Sequence, residues 1–327
     1  MRYLHSPRVT GCPILVIYTR SMKYTLMSFA LLAGALGYAK AQTELPLYPN
    51  GQIPNSLPCT LTEGVRDIGQ GNLFTYNTTQ PAITAYLPAQ PAQTHAAVII
   101  LPGGGYAGVS VTAEGSKVAA AFNQLGIAAF VVKYRMPSSQ SMADKRTGAL
   151  QDAQQALSIV RKNAVHWKID PDKVGVAGFS AGGHLAAILS TRYRDHYIHT
   201  TDSTGNLRPD FTILVYPVIS MDDSVTHAGS KSNLLGKNPS ADDVKMFSAN
   251  VQADPQTPPA LLIHSGDDTV VDPENSILYY QALRKHGVSA QLIIYPKGGH
   301  GYGLDNPTTP DRWMDRCRDW MLSRKLL

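Results

Sequence analysis

"VAGFSAGGHLA", Val176 to Ala186, sets a serine between two glycines directly after an apolar run. "KVGVAG" has the length and valine content of a buried strand, and "GHLAAILS" opens a helical pattern. Gly178-Phe179-Ser180-Ala181-Gly182 joins the two. G-x-S-x-G between a strand and a helix is the setting in which a serine is raised above a sheet on a strained turn, with a helix N-terminus behind it. The glycines leave room on either side. A plain turn whose serine caps the helix would look the same over five residues, so partners elsewhere must decide.

A serine hydroxyl is a weak nucleophile near neutral pH. It needs a base, and the base needs an acid to orient it. Two later strand-like runs end in suitable loops: "ALLIHS" leads into "GDDTVVDPENS", and "AQLIIYP" leads into "KGGHGYG". His300, between glycines, is the candidate base. Asp267 and Asp268 are adjacent, and only one can face the imidazole; the other would cap the loop through backbone hydrogen bonds. The chain order Ser, Asp, His is the order this strand–turn–helix setting requires.

Upstream, the strand in "IILPGGGYAG" ends at Leu101, and Gly103-Gly104-Gly105 lets bare backbone N–H groups approach a substrate. Such donors suit an oxyanion, the charge that develops when Ser180 attacks a carbonyl. Gly104 and Ala181 are the expected donors, with Gly103 in reserve. No G-K-[ST] follows, which argues against a phosphate loop. His184, one helical turn past Ser180, is expected to pack beneath the site. Asp152 in "TGALQDAQQALSIV" is expected to pair with Arg135 in a structural role.

From residue 82 apolar strands and helical patterns alternate. The strands are "AITAYL", "AAVIIL", "IAAFVVKY", "KVGVAG", "FTILVYPV", "ALLIHS" and "AQLIIYP". The helical patterns are Glu114 to Leu125, Ala143 to His166, Gly182 to Tyr193, Pro273 to His286 and Asp311 to Lys325. Unbroken Val- and Ile-rich strands predict a mostly parallel sheet covered by helices on both faces, a three-layer α/β sandwich. Residues 42–90 read as an N-terminal arm with first strands and 91–327 as the main domain. An insertion at about 218–258 is expected at the carboxyl end of the sheet, where open α/β folds bind ligands.

The formal charge of +5 suggests a polyanion partner until its source is located. Arg2, Arg8, Arg20, Lys23 and Lys40 all lie in residues 1–41, which hold no Asp or Glu. Without those five, the 29 basic residues fall to 24 against 24 acidic ones, and no footprint for nucleic acid remains. Residues 1–41 read as a secretory signal: a basic start near Lys23, the apolar "LMSFALLAGALGY", then "AKA" before a mature start at Gln42. Met22 stands where such a leader begins, so residues 1–21 read as a start assigned too early. The apolar run is short of the ~20 residues that span a bilayer and is broken by Gly34 and Gly37. A periplasmic or secreted protein without stable membrane insertion is expected. Cys12 leaves with the leader; whether Cys59 and Cys317 then bridge is left open. No C-x-x-C spacing suggests a metal, and no cofactor is expected.

With these motifs in this order, the chain resembles the α/β-hydrolase superfamily, and within it secreted bacterial acetyl-xylan esterases and ferulic-acid-esterase-like (BD-FAE-like) proteins. "LPGGGYAGVSVTAEG", "VVKYRMP", "VGVAGFSAGGHLAA", "HSGDDTVVDPENSILYYQALRKHGV" and "IYPKGGHGYGL" carry the likeness over roughly residues 44–327. Pro102 stands where lipase-type relatives have histidine, and Asp272 where proline commonly follows the paired valines. The resemblance favours Asp268 as the acid. In related loops that acid stands four residues after the position of His264 and two before paired valines, here Val270 and Val271. It implies a serine esterase without a cofactor, acting on acetyl esters of plant-polysaccharide sugars or on small esters. Prolyl-oligopeptidase-like peptidases share the order but gate access with a large propeller, for which residues 42–90 are too few. A non-catalytic carbohydrate-binding homologue would lack a triad member.

Overall fold

The computed structural model describes residues 44–92, 94–198 and 205–327; the expected leader lies outside them. Among these residues the strands are β1 (Leu45–Pro46), β2 (Gly64–Asp67), β3 (Leu73–Tyr76), β4 (Ala82–Tyr86), β5 (Ala97–Leu101), β6 (Gly108–Val109), β7 (Ala128–Lys133), β8 (Val174–Phe179), β9 (Thr212–Val215), β10 (Ala260–Ser265) and β11 (Ala290–Tyr295). The helices are α1 (Lys117–Gln124), α2 (Gly148–Lys162), α3 (Ala164–Trp167), α4 (Ser180–Thr191), α5 (Ala228–Leu235), α6 (Ala241–Met246), α7 (Ala249–Gln252), α8 (Glu274–Lys285) and α9 (Trp313–Ser323). None is long and apolar enough to cross a membrane.

An 8-stranded sheet runs β1-β4-β7-β5-β8-β9-β10-β11. The pairs from β7 to β11 are parallel, while β4 runs antiparallel to β7 and β1 antiparallel to β4. Strand alternation explains why the central runs are apolar without interruption. In β5, Ala97, Ile99 and Leu101 join one core with Leu150 and Leu157 of α2, Leu185 of α4 and Leu283 of α8. Val98 and Ile100 point the other way, into a core with Phe122 of α1 and Trp313, Trp320 and Met321 of α9. This is the α/β-hydrolase arrangement, with helices covering both faces.

Three features depart from the periodicity. Residues 64–76 form a hairpin, and β6 adds to it in a 3-stranded antiparallel sheet, pairing Thr75 with Val109. This second sheet clamps the far end of the glycine loop. The helix expected from Glu114 opens instead with a wide π-turn over Val111–Ser116 before α1. Residues 218–258 fold into α5, α6 and α7, and α5 rests on the glycine loop through Asn233 Nδ2, which donates to Gly105 O at 2.8 Å. Cys59 is exposed, Cys317 is buried, and both are free thiols.

Arg135 and Asp152 tie the arm to the sheet. Both side chains are buried, and the guanidinium meets the carboxylate with Nη2 to Oδ1 at 2.8 Å and Nε to Oδ2 at 2.9 Å. Arg135 N–H also donates to Asp152 Oδ2 at 2.8 Å. The remaining donors reach Pro54 O and Ser56 Oγ, and Tyr48 O–H donates to Asp152 Oδ1, so one buried pair fastens three residues of the arm. Removing one partner strands a buried charge, whose cost exceeds the net worth of the pair. Asp152→Ala is therefore expected to lower the unfolding free energy by about 3–5 kcal/mol in urea titrations; a loss below about 1 kcal/mol would contradict this account.

Candidate active site

Strand β8 ends at Phe179 and α4 starts at the next residue, so Ser180 is the bend itself. Its φ is +52°, a left-handed value that costs a side-chain-bearing residue on the order of 1–3 kcal/mol. The flanking glycines are there for space. A Cβ on Gly178 would lie 2.4 Å from Gly182 O, and one on Gly182 would lie 2.1 Å from Leu101 O.

The expected partners meet this serine. His300 Nε2 lies 2.9 Å from Ser180 Oγ, and His300 Nδ1 lies 2.7 Å from Asp268 Oδ2. An ionised carboxylate only accepts, so Nδ1 carries the proton and Nε2 is left to accept the serine hydroxyl. Asp268 Oδ1 accepts the N–H groups of Val270 and Val271, both at 2.9 Å. That turn accounts for the spacing of an acid two residues before paired valines. His264 Nε2 stands 3.3 Å from Asp268 Oδ2. Burial alone would raise the Asp268 carboxyl, but hydrogen bonds from His264, His300 and the Val271 N–H outweigh it and hold the group well below the usual carboxylate range. Asp267 faces the other way and is exposed; its Oδ1 accepts Gly299 N–H at 2.8 Å, tying the loop after β10 to the loop that carries His300.

The glycine loop is held at every carbonyl. Pro102 O accepts from Tyr134 O–H at 2.6 Å, Gly103 O from Ser110 N–H at 2.9 Å, and Gly104 O from Ala107 N–H at 2.9 Å. One expectation is corrected here. Gly103 N–H donates to Glu114 Oε2 at 2.7 Å, so Gly103 is not a spare donor for a substrate oxygen. The N–H groups of Gly104 and Ala181 have no partner among the described residues.

His184 is buried below Ser180. Its Nε2 meets Phe247 O at 2.7 Å and its Nδ1 meets Tyr106 Oη at 2.7 Å. Burial lowers its pKa from 6.5 to about 4, against the hydrogen bond to Phe247 O, so it packs as a neutral ring.

Two residues of this neighbourhood escaped the sequence. Glu114 is buried in the π-turn, where Oε1 accepts Tyr216 O–H at 2.8 Å. Burial raises its pKa, opposed by its hydrogen bonds from Tyr216 and Gly103 and by His300. Tyr216, read as part of a strand, leaves β9 with φ +38° and sets its ring 4.9 Å from the His300 imidazole. An acid among small residues in "VTAEGS" was the available signal for Glu114, and a tyrosine before Pro217 for Tyr216. Among the described residues, no group of three or more His, Cys, Asp or Glu is arranged to hold a metal ion.

Known proteins resemble this chain in sequence and fold. The BD-FAE family model matches residues 83–283. An acetylxylan esterase of Xylanibacter ruminicola is 41% identical over 226 residues, covering 68% of this chain and 44% of that protein. Endo-1,4-beta-xylanase B of Butyrivibrio fibrisolvens is 33% identical over 253 residues, covering 76% and 39%. The chain thus spans less than half the length of these curated relatives. The crystal structure of an acetyl ester-xyloside bifunctional hydrolase from Caldicellulosiruptor lactoaceticus superposes with a TM-score of 0.73 at 33% identity, over 89% of this chain and 99% of that one.

Two outcomes follow from the geometry. Asp268→Asn should lower kcat by roughly 10⁴, because the imidazole loses its tautomer; Asp267→Asn should cost less than about tenfold, and steady-state assays of both variants distinguish them. His184 supplies the second. Its folded pKa lies below its unfolded value, so the unfolded chain takes the proton first. The stability from neutral His184 is complete above pH 6.5 and is lost as pH falls toward 4. Urea titrations should show that loss as about 3 kcal/mol, and His184→Gln should flatten this part of the curve.

Proposed function

The chain belongs to the BD-FAE family, and on that premise we propose that it is a serine esterase that removes acetyl groups from plant-polysaccharide sugars. The hydrogen-bonded chain Ser180–His300–Asp268 carries this reading, together with the N–H groups of Gly104 and Ala181, which have no partner among the described residues. Ser180 Oγ attacks the ester carbonyl as His300 Nε2 takes its proton. The carbonyl oxygen becomes negative and is received by the two N–H groups, each donor of this kind being worth about 3 kcal/mol of barrier. Asp268 stabilises the imidazolium. The tetrahedral intermediate expels the alcohol, which leaves with the proton from Nε2, and Ser180 is acylated. Water then repeats the sequence: His300 takes its proton, the hydroxyl oxygen adds to the acyl carbon, and acetate departs as Ser180 regains its hydrogen.

The acyl group is small and the alcohol polar. The insertion at about 218–258 folds into the three short helices α5, α6 and α7 rather than a long apolar cap, which favours a small acyl group on a hydroxylated alcohol over a lipid chain. The near-neutral body beyond residue 41 gives nucleic acid no purchase. Export to the periplasm or the medium, with cleavage before Gln42, completes the proposal, and the mass of the exported chain checks it.

Wild-type protein is expected to release p-nitrophenol from p-nitrophenyl acetate and acetate from acetylated xylo-oligosaccharides. Ser180→Ala should abolish both. Equal rates from wild type and the alanine variant would end the esterase reading.

A further inference from the structure

We infer that Glu114 is a positioning residue for the oxyanion-binding loop, and that Tyr216 ties its carboxylate to the loop carrying His300. This rests on the esterase reading.

Of the two peptide groups leading into Gly104, the first is held at both ends and the second at its oxygen. In a trans peptide the C=O and the N–H point in opposite directions. The Pro102–Gly103 peptide gives its oxygen to Tyr134 O–H at 2.6 Å and its N–H to Glu114 Oε2 at 2.7 Å. With that plane set, the Gly103–Gly104 peptide gives its oxygen to Ser110 N–H at 2.9 Å. Its N–H, that of Gly104, is turned to the opposite side. Glu114 is the only charged member of this clamp. It also sits beside the nucleophile: a Cβ on Gly103 would lie 2.8 Å from Ser180 Cβ and 2.9 Å from Glu114 Oε2.

The other carboxylate oxygen extends the chain. Glu114 Oε1 accepts Tyr216 O–H at 2.8 Å, and Tyr216 Oη accepts Gly303 N–H at 2.9 Å. A line of hydrogen bonds thus runs from Gly103 to Gly303, three residues past the catalytic imidazole, with the Tyr216 ring packed on that imidazole. The glycine loop and the histidine loop are held to one another from behind. A negative group near a developing oxyanion is unfavourable unless it is compensated. Here each oxygen already accepts a donor, and the proton His300 takes from Ser180 supplies a nearby positive charge.

Glutamine at 114 can accept from one of the two donors but must turn its NH2 toward the other. Deleting one oxyanion donor costs about 10²–10³ in kcat, and misdirecting it should cost somewhat less. For Glu114→Gln, kcat on p-nitrophenyl acetate, expressed per serine labelled to completion with a fluorophosphonate, should fall ten- to a hundredfold. KM should stay within twofold. A trifluoromethyl ketone, which adds to the serine as a tetrahedral oxyanion, should lose affinity by the same factor as kcat/KM. Tyr216→Phe keeps the ring and removes only the O–H, and should show a three- to tenfold loss of the same kind. It decides the matter if the glutamine variant does not fold. A merely structural carboxylate would reduce the labelled fraction or the melting temperature and leave kcat per labelled serine and the ketone unchanged. That result overturns the inference. Wild-type protein that hydrolyses no ester overturns the proposed function instead.

Discussion

Helix α4 can follow β8 at this angle only because residue 182 has no side chain. Its Cα is packed against the carbonyls of Leu101 and Pro102, where any Cβ would collide. This close approach brings the end of β5 to the start of α4 and lays the glycine loop over Ser180. The proposed pairing of the Gly104 and Ala181 N–H groups on one substrate oxygen depends on this contact. The catalytic geometry therefore begins as a packing constraint between two backbones, and hydrogen bonds refine what that contact permits.

Two buried carboxylates flank the imidazole and are tuned by different means. Asp268 receives four polar hydrogens or near-contacts, from two backbone amides and two histidines, and stays ionised despite burial. Glu114 receives one donor on each oxygen, and burial dominates. In the proposed mechanism the first acts on the proton that moves. The second holds the Gly103 N–H and the Tyr216 hydroxyl.

Much of this was legible in the sequence, because strands buried on both faces write themselves as unbroken Val and Ile runs, and the loops after them carry the chemistry. Ser180, Asp268 and His300 each follow such a run. Asp268 was separated from Asp267 by the resemblance to related loops, and the structure supplies the reason for that spacing: Asp268 accepts the N–H groups of the paired valines. Gly103 could not be read correctly. Its N–H is taken by a side chain in a π-turn, and neither the turn nor the partner leaves a periodic trace. The hairpin at 64–76 was missed for a related reason: its strands are short, half exposed and anchored to a two-residue strand, so burial did not shape their composition. Tyr216 fell within an apolar run whose end only the tertiary fold defines.

The left-handed backbone at Ser180 sets two selective pressures against each other. Glycine would relax that bend at little conformational expense in the folded state. The same replacement deletes the proposed nucleophile. A population screened for thermal tolerance alone would drift toward glycine at this position, and on the proposed mechanism the demand for turnover keeps serine there. Durability and activity are antagonists at a single torsion angle.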